Sequence, residues 1–149
     1  TAGWKSVHWK VPNGDYVGVL IKRAKEEGKP LLYYLENYNA LTQMDIALTP
    51  ELCYFPQMTD FEQLDKDYPG SLFILNTRDV HNWIRSVNKW YTIRSRFTKL
   101  DLPGLPAGKY FEGNPRFLEF DIENDRVEKL EDFLGVTGLD WGQHNVSKI

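Results

Sequence analysis

The junction between a predicted strand and the helix that follows it is the feature of this sequence best suited to chemistry. Arg78 and Ser86 lie in the segment S-L-F-I-L-N-T-R-D-V-H-N-W-I-R-S-V, residues 71–87. The planar guanidinium of arginine matches the oxygens of a phosphate, and a serine hydroxyl can donate a further hydrogen bond. These residue types predict a site for a phosphate-bearing ligand. The alternative is that Arg78 pairs with a carboxylate such as Asp79 and that Ser86 binds nothing.

The elements around this pair would place it where ligands commonly bind. The apolar run in residues 71–77 predicts a strand buried on both faces, as in a parallel sheet, and residues 80–97 predict a helix with Trp83 and Trp90 in the core. Arg78 would then lie at the carboxyl edge of the sheet, which is where open α/β sheets bind ligands. The helix that follows would present free N–H groups to an anion.

The rest of the chain predicts an α/β domain with a mainly parallel sheet flanked by helices. Strands are expected at residues 6–9 and 117–122, and helices at residues 15–27 and 125–134, while residues 30–36 are ambiguous and favour helix. The length of 149 residues fits a single domain over 1–149.

Composition and charge exclude several function classes. The net charge is −3, but residues 78–99 carry six basic groups and one acidic group. Such a local block in an acidic chain indicates an anionic small ligand, whereas the alternative that composition alone favours is a solvated helix face. The acidic segments on either side of the block disfavour nucleic acid as a partner. The single cysteine, Cys53, excludes an intrachain disulfide, and the histidines have no metal-ligand spacing. No apolar run could span a membrane and no signal peptide opens the chain, so a cytoplasmic location is expected.

Two segments resemble the sulfotransferase family. The residues Y-P-G-S-L-F-I-L-N-T-R-D and W-I-R-S are similar to the form Y-P-x-x-K-F-I-L-T-x-R-D-P followed by W-x-x-S in single-domain sulfotransferase-like proteins, with Val80 in place of the final proline. The later segment F-L-E-F-D-I-E-N-D-R-V-E-K-L-E-D-F-L-G-V resembles the late strand and helix of that family. The resemblance extends over most of the chain from Val7 onward.

The resemblance implies a P-loop-type three-layer sandwich that binds 3′-phosphoadenosine-5′-phosphosulfate (PAPS). Arg78 and Ser86 have the spacing of the residues with which the family holds the 3′-phosphate of PAPS or of its product, adenosine 3′,5′-bisphosphate (PAP). The implied activity is transfer of the sulfonate group to a hydroxyl or amine of a small-molecule or glycan-type acceptor. Lys148, beside His144 and Asn145, resembles a late segment near which a loop closes over the donor, although a frayed terminus is an equal alternative.

The family's glycine-rich phosphosulfate loop has no match in this chain. Residues 104–110 (G-L-P-A-G-K-Y) have three residues between the glycines and Tyr110 where serine or threonine is required. The same departure disfavours a nucleotide kinase. We therefore expect the loop to lie upstream of Thr1 and the domain to be incomplete at its amino end. The alternative function is a non-catalytic binding or interaction module that retains the sulfotransferase fold.

The base that would take the acceptor's proton has three candidates. His8 ends the first predicted strand, Asp45 lies in a segment that the resemblance places near the acceptor, and Glu36 is a third option. Each also has a structural alternative: His8 as a core histidine, Asp45 as a turn residue and Glu36 as a helix-surface group. His8 and Asp45 are the predicted catalytic residues.

Overall fold

The computed structural model describes residues 3–49, 51–90 and 107–140 of the chain. The strands are β1 (Ser6–His8), β2 (Ala40–Thr42), β3 (Ile46–Ala47), β4 (Cys53–Tyr54), β5 (Phe73–Thr77) and β6 (Phe117–Asp121). The helices are α1 (Val17–Glu26), α2 (Pro56–Thr59), α3 (Phe61–Asp67), α4 (Val80–Lys89), α5 (Ala107–Tyr110) and α6 (Val127–Leu134). A 3₁₀ turn at Tyr33–Leu35 occupies the ambiguous apolar run. None of these described helices is long and apolar enough to cross a bilayer.

The strands form three pairs, of which two are parallel. β1 pairs with β2 in parallel, from Ser6 opposite Ala40 to His8 opposite Thr42. β5 pairs with β6 in parallel, and the short strands β3 and β4 are antiparallel. Parallel neighbours require a crossover connection, and α4 lies in the connection between β5 and β6. The described chain is therefore α/β, as the sequence predicts.

Helix α1 supplies one side of the main core. Val17, Ile21 and Ala24 have no solvent-exposed surface and recur at helical spacing, which confirms the face predicted from the sequence. Val17 and Ile21 pack in one cluster with Leu35 and Leu64. The helix ends before Gly28, whose φ of +66° is a conformation that glycine adopts without strain.

Strand β5 and helix α4 differ from their predicted burial. Phe73 stacks on Phe111 with ring centroids 4.6 Å apart, but Ile74, on the opposite face of the strand, is 42% exposed. On α4, Trp83 is 46% exposed, and Trp90 just after it is 52% exposed. The prediction that Trp83 and Trp90 lie in the core is wrong for this structure. An apolar run is buried on both faces only where elements cover both faces, and the covering elements are not encoded in the run itself.

Gly18 allows α1 to approach the backbone that leads into β3. A Cβ atom at this position would lie 2.8 Å from the carbonyl oxygen of Met44 and 3.0 Å from the amide nitrogen of Ile46. These atoms flank Asp45, one of the two predicted catalytic residues. Helix α1 therefore fixes the position of the Asp45 backbone by direct contact.

Gly18→Ala should destabilise the protein, although alanine is normally the better helix former by about 1 kcal/mol. The added methyl group meets backbone atoms that cannot move aside as a side chain could, so we expect a loss of about 1–3 kcal/mol. Urea unfolding followed by circular dichroism measures the effect. The exposed α1 position Glu26, changed to alanine, is the control and should stay within about 0.5 kcal/mol of wild type. A Gly18→Ala protein as stable as wild type would contradict this close approach.

Asp60 is a buried charged group that joins α1 to the segment before α3. It is 8% exposed, accepts a hydrogen bond from the Lys25 ammonium and another of 2.8 Å from Thr59 Oγ1. Burial raises the pKa of Asp60, but the hydrogen bonds from Lys25 and Thr59 outweigh it and lower the pKa below its ordinary value of 3.8. Ionised Asp60 therefore stabilises the folded protein fully at pH values above about 3.8, and this stabilisation is lost as the pH falls through the lower pKa of the folded state.

Lys25→Ala should lower the free energy of unfolding by about 1–2 kcal/mol at neutral pH, because it leaves a buried carboxylate without its cation. Lys25 is itself about half exposed, and water replaces part of the lost interaction. The difference from wild type should shrink below pH 3.8 as Asp60 becomes protonated. Urea unfolding across this pH range tests both points, with the exposed Lys66→Ala as control. A difference that does not depend on pH would show that the pair is not its source.

Candidate functional site

The candidate site lies at the carboxyl ends of β5 and β6. The register pairs Thr77, the last residue of β5, with Asp121, the last residue of β6. The ladder continues one step further, where Ile122 N donates to Thr77 O at 3.0 Å. Arg78 follows β5 directly and Glu123 follows Ile122, so the parallel pairing brings these two residues to the same edge although they are far apart in sequence.

Asp79 begins helix α4 rather than pairing with Arg78. Its Oδ1 accepts a hydrogen bond of 2.9 Å from the backbone N–H of Asn82, which satisfies one of the free donors in the first helical turn. The sequence left open whether Arg78 would pair with Asp79. The carboxylate of Asp79 caps the helix, and Arg78 pairs with a different carboxylate, that of Glu123. The alternative in which Arg78 pairs with a carboxylate therefore holds, although the partner is not Asp79.

The Glu123 carboxylate accepts three hydrogen bonds at this junction. Arg78 Nη2 donates to Oε1 at 2.7 Å, while Asn82 Nδ2 at 2.9 Å and the backbone N–H of Asp79 at 3.1 Å donate to Oε2. The hydrogen bond from Asn82, with those from Arg78 and Asp79, outweighs the effect of burial and lowers the pKa of Glu123 below its usual range. The donors of the junction therefore converge on an anionic group.

One donor of the junction has no partner among the described residues. Arg78 Nε is buried and makes no hydrogen bond within residues 3–49, 51–90 and 107–140. The side chain as a whole is 31% exposed. A buried donor without an acceptor is unfavourable, so the guanidinium is incompletely satisfied among the described residues.

Ser86 lies on the same face of α4 as Asn82. The two residues are four positions apart, which places their side chains one helical turn from each other. Ser86 is half-buried in the second turn of the helix. Arg78, Asn82 and Ser86 thus belong to one strand-to-helix unit.

The two predicted catalytic residues lie on the other parallel pair. His8 is exposed at the end of β1, and its Nδ1 is hydrogen-bonded to Thr42 Oγ1 at 2.9 Å. Asp45 is half-buried three residues after β2, and its Oδ1 accepts from Gln57 Nε2 at 3.2 Å. Because β1 and β2 are parallel, His8, the last residue of β1, and Asp45, three residues beyond β2, belong to the carboxyl ends of neighbouring strands. Glu36 is exposed after the 3₁₀ turn.

Two further predictions fall wholly or partly outside the described residues. Lys148 lies outside them. The loop-like segment 104–110 is described only from α5 onward, where the Tyr110 hydroxyl donates to Asp65 Oδ2 at 3.3 Å and its ring contacts Phe61. Tyr110 is therefore a packing residue at the position where a phosphate-binding loop needs a small hydroxyl.

Sequence reasoning missed Glu123 and Asn82. The signal for Glu123 is an acidic residue just beyond the predicted strand at 117–122, and its role becomes visible only with the register of β5 against β6. The signal for Asn82 is its spacing of four residues before Ser86. Neither residue type stands out in the sequence because Glu and Asn are common after strands and in first helical turns.

Comparison with known proteins identifies one family. The family described as sulfotransferase domain matches residues 25–104, just over half of the chain. The matched segment includes Asp45, Arg78 and Ser86, and it leaves out His8, Glu123 and Lys148. No curated protein and no solved structure matches the chain. The match spans the strand-to-helix unit that carries Arg78 and Ser86, and the chain belongs to the sulfotransferase domain family.

Proposed function

We propose that this protein transfers a sulfonate group from PAPS to a hydroxyl or amine of a small-molecule or glycan-type acceptor. The observation that carries the proposal is Arg78 at the carboxyl edge of the β5–β6 pair, within the segment that matches the family. The proposal includes a single domain over 1–149 of the P-loop-type three-layer sandwich class. A cytoplasmic location stays a prediction.

The donors of the β5–α4 unit fit the 3′-phosphate of PAPS or PAP. Arg78 Nη2 and the Asn82 amide already hold an anionic group in the form of the Glu123 carboxylate. Arg78 Nε is buried and has no acceptor in the described part of the chain, and a guanidinium fork and a phosphate suit each other in geometry. In the proposal Arg78 and Ser86 bind the 3′-phosphate, and Lys148 adds a positive charge.

The bound donor supplies the sulfonate group and a phosphate leaving group. Transfer needs contacts to the phosphosulfate, for which residues 104–110 give no match, and a base for the acceptor's proton. His8 has one ring nitrogen engaged by Thr42, and Asp45 has one oxygen engaged by Gln57. Each has one further atom, Nε2 or Oδ2, for which no hydrogen bond is seen among the described residues and which could accept a proton. The proposal assigns the base to one of these two residues.

A second candidate function is a non-catalytic binding module with the same fold. It is favoured by Glu123, whose carboxylate takes up three donors of the anion-binding junction. A module of this kind would keep the junction as a structural contact and would not transfer sulfonate.

Arg78→Ala should weaken PAP binding by about 10- to 100-fold, because it removes a charge-assisted hydrogen bond worth about 1.5–3 kcal/mol. Ser86→Ala removes a neutral donor and should cost about fivefold. Calorimetric titration with PAP measures both. Arg126→Ala is the matched control, since Arg126 is exposed and pairs only weakly, at 3.5 Å, with Glu128. Equal affinity of wild type and Arg78→Ala would overturn the assignment of the phosphate site.

Loss of the base should lower kcat by about 100- to 10,000-fold without changing PAP affinity. We expect this in either His8→Gln or Asp45→Asn, measured as transfer of radiolabelled sulfonate from PAPS to a simple phenol and to a glucosamine-terminated oligosaccharide. Glu36→Gln serves as the third candidate and should keep wild-type kcat. Wild-type kcat in both variants would contradict the assignment, and PAP binding without transfer to either acceptor would support the non-catalytic module.

A further inference from the structure

Glu123 occupies the place that the proposed function gives to the ligand's phosphate. Its two carboxylate oxygens take the hydrogen bonds of Arg78 Nη2, Asn82 Nδ2 and the backbone N–H of Asp79, at 2.7, 2.9 and 3.1 Å. All three donors belong to the β5–α4 unit, and the acceptor comes from the segment after β6. A carboxylate carries the same sign of charge as a phosphate and accepts the same donors.

The fit of Glu123 to the junction is incomplete. Arg78 offers its fork of Nη2 and Nε, but only Nη2 contacts the carboxylate, and Nε is buried without an acceptor in the described part of the chain. The other oxygen of Glu123 is engaged by Asp79 and Asn82. A phosphate has three terminal oxygens and, once Glu123 has moved away, could contact both nitrogens of the fork while it also accepts from Asn82.

The Glu123 side chain can leave without unfolding the turn that carries it. Asp121 Oδ1 accepts from the backbone N–H of Glu123 at 2.8 Å and from that of Asn124 at 3.2 Å. Asp125 Oδ2 accepts in turn from the N–H of Asp121 at 2.8 Å. These bonds hold the backbone of the turn independently of the Glu123 carboxylate, which is about three-quarters shielded but belongs to a residue at the surface.

We propose that Glu123 is an internal competitor of the ligand, occupying the anion-binding position of the β5–α4 junction until a phosphate-bearing nucleotide displaces it. The inference rests on the proposed function and deepens it, because it names the residue that sets the apparent affinity of that same site. When the competent state is only a fraction of the population, apparent affinity falls by that fraction. A ligand must interact with Arg78 more strongly than Glu123 does in order to displace it. A dianionic phosphate therefore binds better than a monoanion, whose attraction to Arg78 is weaker.

Glu123→Gln tests the inference because it removes the charge and keeps the shape. We expect PAP to bind up to about fivefold more tightly to Glu123→Gln than to wild type. This limit corresponds to the free energy of a partly exposed ion pair, which is about 1 kcal/mol at most. Glu128→Gln makes the same charge change on the exposed surface of α6 and should leave the affinity unchanged. Thermal melting of both variants shows that they are folded.

A second readout follows the donors directly. In amide-detected NMR of wild type, PAP should shift the backbone N–H of Asp79 and the side-chain amide of Asn82 as their acceptor changes. In Glu123→Ala without ligand, the same two signals should already be displaced from their wild-type positions. Unmoved signals on addition of PAP to wild type would overturn the displacement.

The outcomes separate this inference from the proposed function. If Arg78→Ala loses PAP affinity but Glu123→Gln binds no more tightly than Glu128→Gln, the phosphate site stands and Glu123 is a positioning partner of Arg78, which overturns the inference alone. If PAP binds neither wild type nor Glu123→Gln, or if Arg78→Ala binds it as well as wild type does, the proposed phosphate site and the inference both fail.

Discussion

β5 and β6 run in parallel over five paired residues, from Phe73 opposite Phe117 to Thr77 opposite Asp121, and the candidate site depends on this register. Parallel strands end at the same edge, so the residues that follow them are brought together however far apart they are in the chain. A shift by one residue would turn the side chains to the other face and separate Arg78 from Glu123. The position of the site is therefore determined first by the pairing of the strands and only then by the side chains.

The ion pair at this edge joins a basic segment of the chain to an acidic one. Residues 78–99 are strongly basic, while residues 100–149 carry five basic and ten acidic groups. Arg78 comes from the first block and Glu123 from the second, and the structure joins them. A partly buried guanidinium needs acceptors because its desolvation is unfavourable. The acidic block supplies one, and the junction can form without a bound ligand.

The sequence was sufficient for features that depend on neighbouring residues. The buried face of α1, the end of α6 before Gly135 with φ +65°, and the order of strand, Arg78 and helix α4 all follow from local patterns. Features that depend on distant partners could not be predicted. The exposure of Ile74 and Trp83 depends on which elements cover β5 and α4, and the Glu123 contact depends on the register with β6.

In the proposed exchange between Glu123 and a ligand, the Nε of Arg78, unpartnered among the described residues, sets the balance between the two states of the junction. A buried donor left without an acceptor costs about 1–3 kcal/mol, so the arrangement with Glu123 is stable but incompletely satisfied within the described residues. A ligand that offers one more oxygen recovers this free energy and offsets the loss of the Arg78–Glu123 pair. Glu123 lies outside the segment that matches the family. In the proposal, the position of the site is therefore common to the family, and its affinity depends on a residue beyond the match.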